Sequence, residues 1–266
     1  MESVDVLVVG AGAAGLMAAI HAGRAATPDT RILVVDGARK IGAKILVAGG
    51  GRCNVTHHEV RPEDYGGSSR NAIRKVLRAY PVEAVVAFFA AEGVNLKREE
   101  TGKLFPTTDK ARTVLDALLN AVSAAGVELR HPVRVESIER RGDDFVVTGP
   151  DFEATARRVV LCTGGKALPK SGSDGVGLEI VRRLGHSTTD AIHPALVPLL
   201  LADADPIREL GGVAAPVRLM IRDGKGRPIA DYTAPLLCTH FGVSGPVVLD
   251  ASRYLLAARA AGDQAI

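Results

Sequence analysis

Residues 7–19 read LVVGAGAAGLMAA. Two valines run into glycines spaced Gly10-x-Gly12-x-x-Gly15, and a small-residue apolar segment follows. On the N-terminal side, VDVLVVG (4–10) is a continuous apolar run bracketed by glycine, the pattern of a parallel strand buried on both faces. On the other side Leu16, Ala19, Ile20 and Gly23 recur at helical spacing until TPDT (27–30) breaks the pattern. RILVVD (31–36) is then a second short, β-branched run. Strand, glycine turn, helix and strand within about thirty residues predict a βαβ unit.

Each glycine has its own task in such a unit. Gly10 permits the tight turn, Gly12 lets the backbone approach a pyrophosphate, and Gly15 lets the helix pack close to the strand. The N–H groups and positive dipole at the start of the helix then favour phosphate. Asp36 stands about twenty residues after the glycines, where an acid accepts a hydrogen bond from ribose. A carboxylate there repels a 2′-phosphate, so NADP is disfavoured in this site, whereas NAD and FAD both stay open. In a chain with 29 glycines the spacing alone is a weak signal, and a purely structural turn is the alternative.

The rest of the composition sets bounds. The 266 residues are 47% hydrophobic and 24% charged, ordinary for a globular chain and against disorder. A net charge of +3, with no run of like charges, gives no sign of a nucleic-acid partner. The start MESVDVL has two acids and no base, unlike a secretory leader, and the longest apolar stretches, such as ALVPLLLA, fall far short of the roughly 18 residues that span a bilayer. Cys53, Cys162 and Cys238 form no CxxC pair, which leaves a disulfide scaffold or zinc site without support. The expectation is a soluble cytoplasmic protein acting on a small molecule, with no metal, membrane or nucleic-acid partner and an open oligomeric state.

Further along, ILVAGGGRCNVTHH (45–58) and YGGSS (65–69) are glycine-rich. Residues 71–93 are predicted helical, with Pro81 at a first turn and Gly93 as a stop. Asp109 is the expected N-cap of a helix striped by Val114, Leu115, Leu118 and Val122 and ended by Gly126. VRVESIERRGDDFVVTG (133–149) is predicted to be a hairpin around Gly142-Asp143, RRVVLCTGG (157–165) a strand entering a glycine pair, and residues 175–184 a helix. From His193 onward prolines punctuate short β-like runs, including a hairpin across Gly224-Lys225-Gly226, and Ser244 and Pro246 open a helix. This places a boundary near 190, between domains 1–190 and 191–266. GVSGP (242–246) has Pro246 where a nucleophile elbow needs glycine, and there is no phosphate-binding P-loop.

Five stretches in order, GAKILVAGGGRCNVT (42–56), TGKLFPTTDKARTVLDAL (101–118), LCTGGKALPKSGSDGVGLEIVRRLGH (161–186), PALVPL (194–199) and THFGVSGPVVLDAS (239–252), resemble the HI0933-like (BaiN/YhiN-like) bacterial flavoproteins. These are NAD(P)/FAD-dependent, aminoacetone oxidase-like oxidoreductases, and the resemblance spans essentially the whole chain. It implies an α/β, Rossmann-like FAD/NAD(P)-binding domain of the glutathione-reductase type with a β-rich, barrel-like insert. By that resemblance Gly10, Gly12, Ala13, Ala14 and Gly15 hold the pyrophosphate and Asp36 the adenosine ribose. Lys44, Gly49, Gly50, Gly51, Arg52, Cys53 and Asn54 lie along the ribityl chain and flavin, with Arg52 as a fixed cation. Val133 offers backbone bonds to adenine, and Thr163, Gly164 and Gly165 close over the dinucleotide. The alternative for 49–52 is a flexible surface loop.

Some positions depart from the family pattern. Asp36 replaces a usual Glu, Ala43 a common basic residue, and His57-His58 follow Thr56 where Asn is usual. The resemblance also places a returning C-terminal segment beyond Ile266, so the insert is expected to be incomplete here, FAD binding weak and the chain inactive. The expected activity is FAD-dependent hydride transfer to or from a small carbonyl, enone or amine, with NAD(P)H as a possible donor. An NAD-dependent Rossmann dehydrogenase and a non-catalytic dinucleotide module are the alternatives. Catalytic residues are not assigned: Cys53 is either a redox thiol or a small packed residue, and His193 and His240 either acid/base groups or packed histidines.

Overall fold

Strand β1 (Glu2–Val9) is buried on both faces, as its unbroken apolar run requires: Val8 packs to one side of the sheet, Leu7 and Val9 to the other. The computed structural model describes residues 2–66, 69–167, 169–189 and 191–266. Gly67 and Ser68 of the YGGSS piece, Leu168 of the TGG-x-x-x-P segment, and Asp190 at the expected boundary lie outside the described residues. The chain divides into two compact units, Met1–Thr188 and Thr189–Ile266.

In the first unit β1 leads through α1 (Ala13–Ala25) to β2 (Ile32–Val35), then to a short α2 (Ala43–Gly51), β3 (Thr56–His57), α3 (Arg70–Ala79) and α4 (Val82–Ala91). Strands β4 (Leu96–Arg98) and β5 (Lys103–Pro106), helix α5 (Ala111–Ala124) and strands β6 (Glu128–Arg130), β7 (Ser137–Arg141), β8 (Asp144–Gly149) and β9 (Phe152–Leu161) follow, then α6 (Val176–Arg183). The main sheet has the order β6-β2-β1-β9-β8-β7. Its first four strands are parallel, and β8 and β7 continue it antiparallel. One face carries Leu16 and Ile20 of α1 with Val114, Leu115, Leu118 and Val122 of α5; the other carries Ile138, Val147 and Ile180. This is the expected α/β, Rossmann-like arrangement.

Local chemistry moved several expected boundaries. The helix predicted over 71–93 is two helices, because Pro81 pushes Tyr80 out of the helical region (φ −141°, ψ 80°) and itself flanks α4 as its N-cap. Asp109 is not an N-cap. It sits at φ 52° with its carboxylate on Lys97, and Lys110 precedes the first turn of α5 without a side-chain cap. A small sheet β3-β5-β4 was not anticipated; strands of two to four residues are too short to show a period.

The second unit is an open sheet in the order β10 (Leu199–Leu200), β13 (Gly242–Ser244), β12 (Pro228–Thr239), β11 (Ala214–Arg222). Asp223 accepts N–H bonds from Lys225 and Arg227 and shapes the β11–β12 turn at Gly224-Lys225-Gly226. Helix α7 (Pro246–Ala260) begins at Pro246, with Ser244 still in strand, and buries Val247, Val248, Ala251 and Leu255 among side chains of the sheet. No helix among the described residues is long and apolar enough to cross a membrane.

The joint between β1 and α1 tolerates no added carbon. A Cβ on Gly15 would overlap the Gly10 carbonyl oxygen, a backbone atom that cannot yield. Gly15→Ala is therefore expected to cost at least about 2 kcal/mol, a fall of roughly 5 °C in the thermal midpoint. A differential scanning midpoint within about 1 °C of the parent would refute this close packing.

Candidate functional site

From β1 the chain crosses by α1 to β2 on one side, whereas β9 joins β1 on the other. Open parallel sheets bind ligands at such a switch point, outside the carboxyl ends of the strands. A cavity of about 750 Å³ opens there, lined by residues that follow β1, β2 and β9. The end of β1 is tied to both neighbours: Gly10 N–H donates to Val35 O and Cys162 N–H to Val9 O, each at 2.7 Å.

The three glycines at the mouth differ in why they are glycine. Gly10 has φ 103°, and a Cβ on it would lie 2.5 Å from the Cys162 carbonyl oxygen. Gly15 is the close contact described above. Gly12 has neither constraint: its φ is −75°, open to any residue, and a Cβ there would meet nothing within 4 Å. Gly12 borders the cavity and precedes α1 with no side-chain cap, so the N–H groups of the first turn are left for something other than the protein.

Asp36 at the end of β2 binds the loop directly. One carboxylate oxygen accepts the Ala11 N–H at 2.6 Å and the other the Ala38 N–H at 2.7 Å. Each oxygen keeps a further lone pair, so the group holds the glycine turn and can still accept a hydroxyl. The Asp36 carbonyl in turn accepts the Val133 N–H at 2.7 Å.

Of the residues expected at the site, Gly10, Gly12, Ala13, Ala14, Asp36, Lys44, Cys53, Asn54, Val133, Thr163 and Gly164 line the cavity. Gly15, Gly49, Gly50, Gly51, Arg52 and Gly165 do not. Gly49, Gly50 and Gly51 all have positive φ, and Gly49 turns under the Phe105 ring. Arg52 was expected to be a cation beside the ligand. Instead its guanidinium lies 4.1 Å above the Phe105 ring and donates to Glu99 at 2.5 Å, with Asp109 at 3.7 Å. It fastens the glycine turn to the β4–β5 hairpin, and Cys53 and Asn54 are what that turn presents to the cavity.

Several lining residues were missed. Met17 and His21 follow Ala13 and Ala14 one turn and two turns on, so helical spacing from the glycine loop could have found them. Cys162 adjoins Thr163. Tyr80, whose ring meets His21 edge-on at 5.3 Å, and Ser173, buried beside Gly164, had no local signal. His193 and His240 lie in the second unit and line no part of this cavity. Burial raises the thiols of Cys53 and Cys162 above the ordinary cysteine value, which disfavours the thiolate. No metal-ligating cluster is found among the described residues.

Comparison with known proteins agrees with this fold. The HI0933-like protein Rossmann domain matches residues 4–246, and the chain belongs to that family. It is 32% identical over 248 residues to the 3-dehydro-bile acid delta(4,6)-reductase of Clostridium scindens, and 29% identical over 256 residues to the ribosomal RNA dihydrouridine synthase of Escherichia coli. These alignments take in 93% and 96% of this chain but 59% and 62% of the relatives, so the chain spans about three fifths of their length. Among solved structures, the 3-ketosteroid-delta4-(5alpha)-dehydrogenase of Rhodococcus jostii RHA1 shares the fold at TM-score 0.52 and 19% identity, over 80% of this chain and 59% of that one.

Two outcomes follow from the site. Asp36→Ala should destabilise the ligand-free chain by about 2 kcal/mol, since it strips a charged acceptor from two backbone donors, and Asp36→Asn by less. Unchanged urea midpoints for both would show that the clamp carries no energy. Cys53 and Cys162 should alkylate more slowly with iodoacetamide at pH 7 than free cysteine, the rate climbing as pH rises past the ordinary thiol range; rapid labelling of either at pH 7 would contradict the burial effect.

Proposed function

We propose that the cavity at the carboxyl ends of β1, β2 and β9 binds FAD and serves an oxidoreductase. The observation that carries this reading is Gly12, a glycine that the protein's own packing and backbone do not need, set at an uncapped helix start beside a lone acid. A glycine of that kind is what close approach of a pyrophosphate demands. Family membership supports the same reading.

In this assignment the first turn of α1 holds the pyrophosphate through Ala13 and Ala14 N–H groups. Asp36 takes the ribose hydroxyl with the lone pairs left over from Ala11 and Ala38. Val133, its N–H already spent on Asp36, keeps a carbonyl for adenine. Lys44, Cys53, Asn54, Thr163 and Gly164 face the remaining length of the cofactor. Bound FAD supplies two-electron hydride chemistry, and the protein supplies orientation and exclusion of water. Cys53, protonated and buried, packs there as a small apolar group and does not relay electrons.

The substrate class we propose is a carbon–carbon double bond conjugated to a carbonyl, reduced with NAD(P)H as donor. The two relatives named above support it: a delta(4,6)-reductase and a dihydrouridine synthase both saturate such a bond. Protein purified without added cofactor should show an oxidised-flavin visible spectrum, release FAD on heating, and bleach anaerobically with NADH or NADPH. Gly12→Val should match the thermal midpoint of the flavin-free parent and bind FAD at least tenfold more weakly, about 1.4 kcal/mol or more. FMN or NAD as the released nucleotide, or normal flavin occupancy in Gly12→Val, would overturn the assignment.

A further inference from the structure

The small net charge of the chain conceals one local concentration. Helix α3 reads RNAIRKVLRA and carries Arg70, Arg74, Lys75 and Arg78 with no acid. Not one of its residues is buried. At 100° per residue Arg70, Arg74 and Arg78 form a single stripe, one cation about every 6 Å along the axis. Ile73 and Leu77, half-buried, flank that stripe on its Arg70 edge. Arg70 lies 3.3 Å from Glu63, whereas Lys75 and Arg78 have no acidic partner among the described residues. The helix runs into Tyr80, which lines the cavity and meets His21.

We infer that α3 is a docking surface for the phosphate backbone of a single-stranded RNA, placed to lead one base of that strand to the cavity. Three features favour a strand of phosphates. The cations repeat along a line, at a spacing comparable to that of successive phosphates. They are mostly arginine, which pairs with phosphate oxygens in bidentate fashion. Their line ends at the wall of the cavity. An anionic membrane is the poorer fit, because the helix offers no free apolar face to insert: Ile73 and Leu77 are half-covered, and Val76 alone is widely exposed, at 69%. The inference rests on the proposed reaction site only for the destination of the base; phosphate contact with α3 stands independently of flavin.

The test is fluorescence anisotropy with a 5′-labelled 12-nucleotide oligouridine, titrated across salt concentration. The protein should bind, with log affinity falling linearly in log salt. The triple variant R70Q/R74Q/R78Q keeps helix-forming residues on an exposed face, so its thermal midpoint should match the parent. It should bind at least tenfold more weakly, with a salt slope smaller by about 2, since each single-strand phosphate contact contributes about 0.7. The control R140Q/R141Q/R158Q removes three exposed arginines elsewhere in the first unit and should leave the slope unchanged. Equal losses in the two triples would mean general charge attraction and overturn the inference, as would absence of RNA binding or stronger binding to phosphatidylserine vesicles. Flavin content, read by absorbance on the same samples, should be equal in all three proteins. Its absence from all three would count against the FAD assignment and leave the phosphate surface standing.

Discussion

The constraint on which the first unit depends is the approach of α1 to the end of β1, where the Gly10 carbonyl oxygen occupies the place that a Gly15 side chain would need. That contact sets where α1 starts, and with it the direction in which the first-turn N–H groups point. Asp36 fixes the turn from the other side, taking the Ala11 and Ala38 N–H groups on opposite oxygens. Val133 then hangs from the Asp36 carbonyl, so the third wall of the cavity is positioned by the second. A short acid suits this duty. Aspartate reaches backbone donors close to its own Cα, whereas a glutamate would carry its oxygens further into the cavity.

The fold and its glycine turn were legible because the signals were local. β1 and β2 are short apolar runs that the sheet buries on both faces, and the glycine spacing names its own turn. The features that escaped were those made by residues distant in sequence. Arg52 looks like a cation for a ligand when read beside Gly51 and Cys53. Its partners Glu99 and Phe105 arrive from a hairpin nearly fifty residues on, and nothing near Arg52 announces them. Asp109 failed as a cap for a similar reason: Lys97 and the Arg52 guanidinium hold it in a left-handed turn before the helix begins. Tyr80 and Pro81 are the opposite case. The backbone rule for a residue preceding proline was visible in the sequence and marks the break between α3 and α4.

The glycines also separate what the fold needs from what a ligand needs. Where a glycine has positive φ, or where a Cβ would strike backbone, folding alone accounts for it, as at Gly10 and Gly15. Where φ is ordinary and the space is empty, as at Gly12 and Gly165, folding gives no reason to exclude a side chain. Gly12 is of the second kind and borders the cavity, which is why the proposed pyrophosphate site rests on it more than on the three-glycine spacing as a whole. The Gly49–Gly51 turn is of the first kind, all at positive φ. Its part is to let Arg52 reach Phe105 and Glu99 while Cys53 and Asn54 face inward.

The same separation orders the charges around the cavity. Arg52 is neutralised by Glu99, and Arg134 is held at 2.7 Å by Asp174. Paired in this way, each guanidinium serves the fold, and its field a few ångströms away is largely cancelled. Among the α3 cations Arg70 has a carboxylate, Glu63, at 3.3 Å, whereas Lys75 and Arg78 have none among the described residues, and a cation held at a solvent-exposed face without a carboxylate gains nothing for stability from its charge. The four cations of α3 fall within about 140° of the helix circumference and repel one another, an unfavourable arrangement that folding does not call for. As with Gly12, the feature the fold does not require is the one that speaks of a partner, and here its chemistry is that of an anion extended along a line.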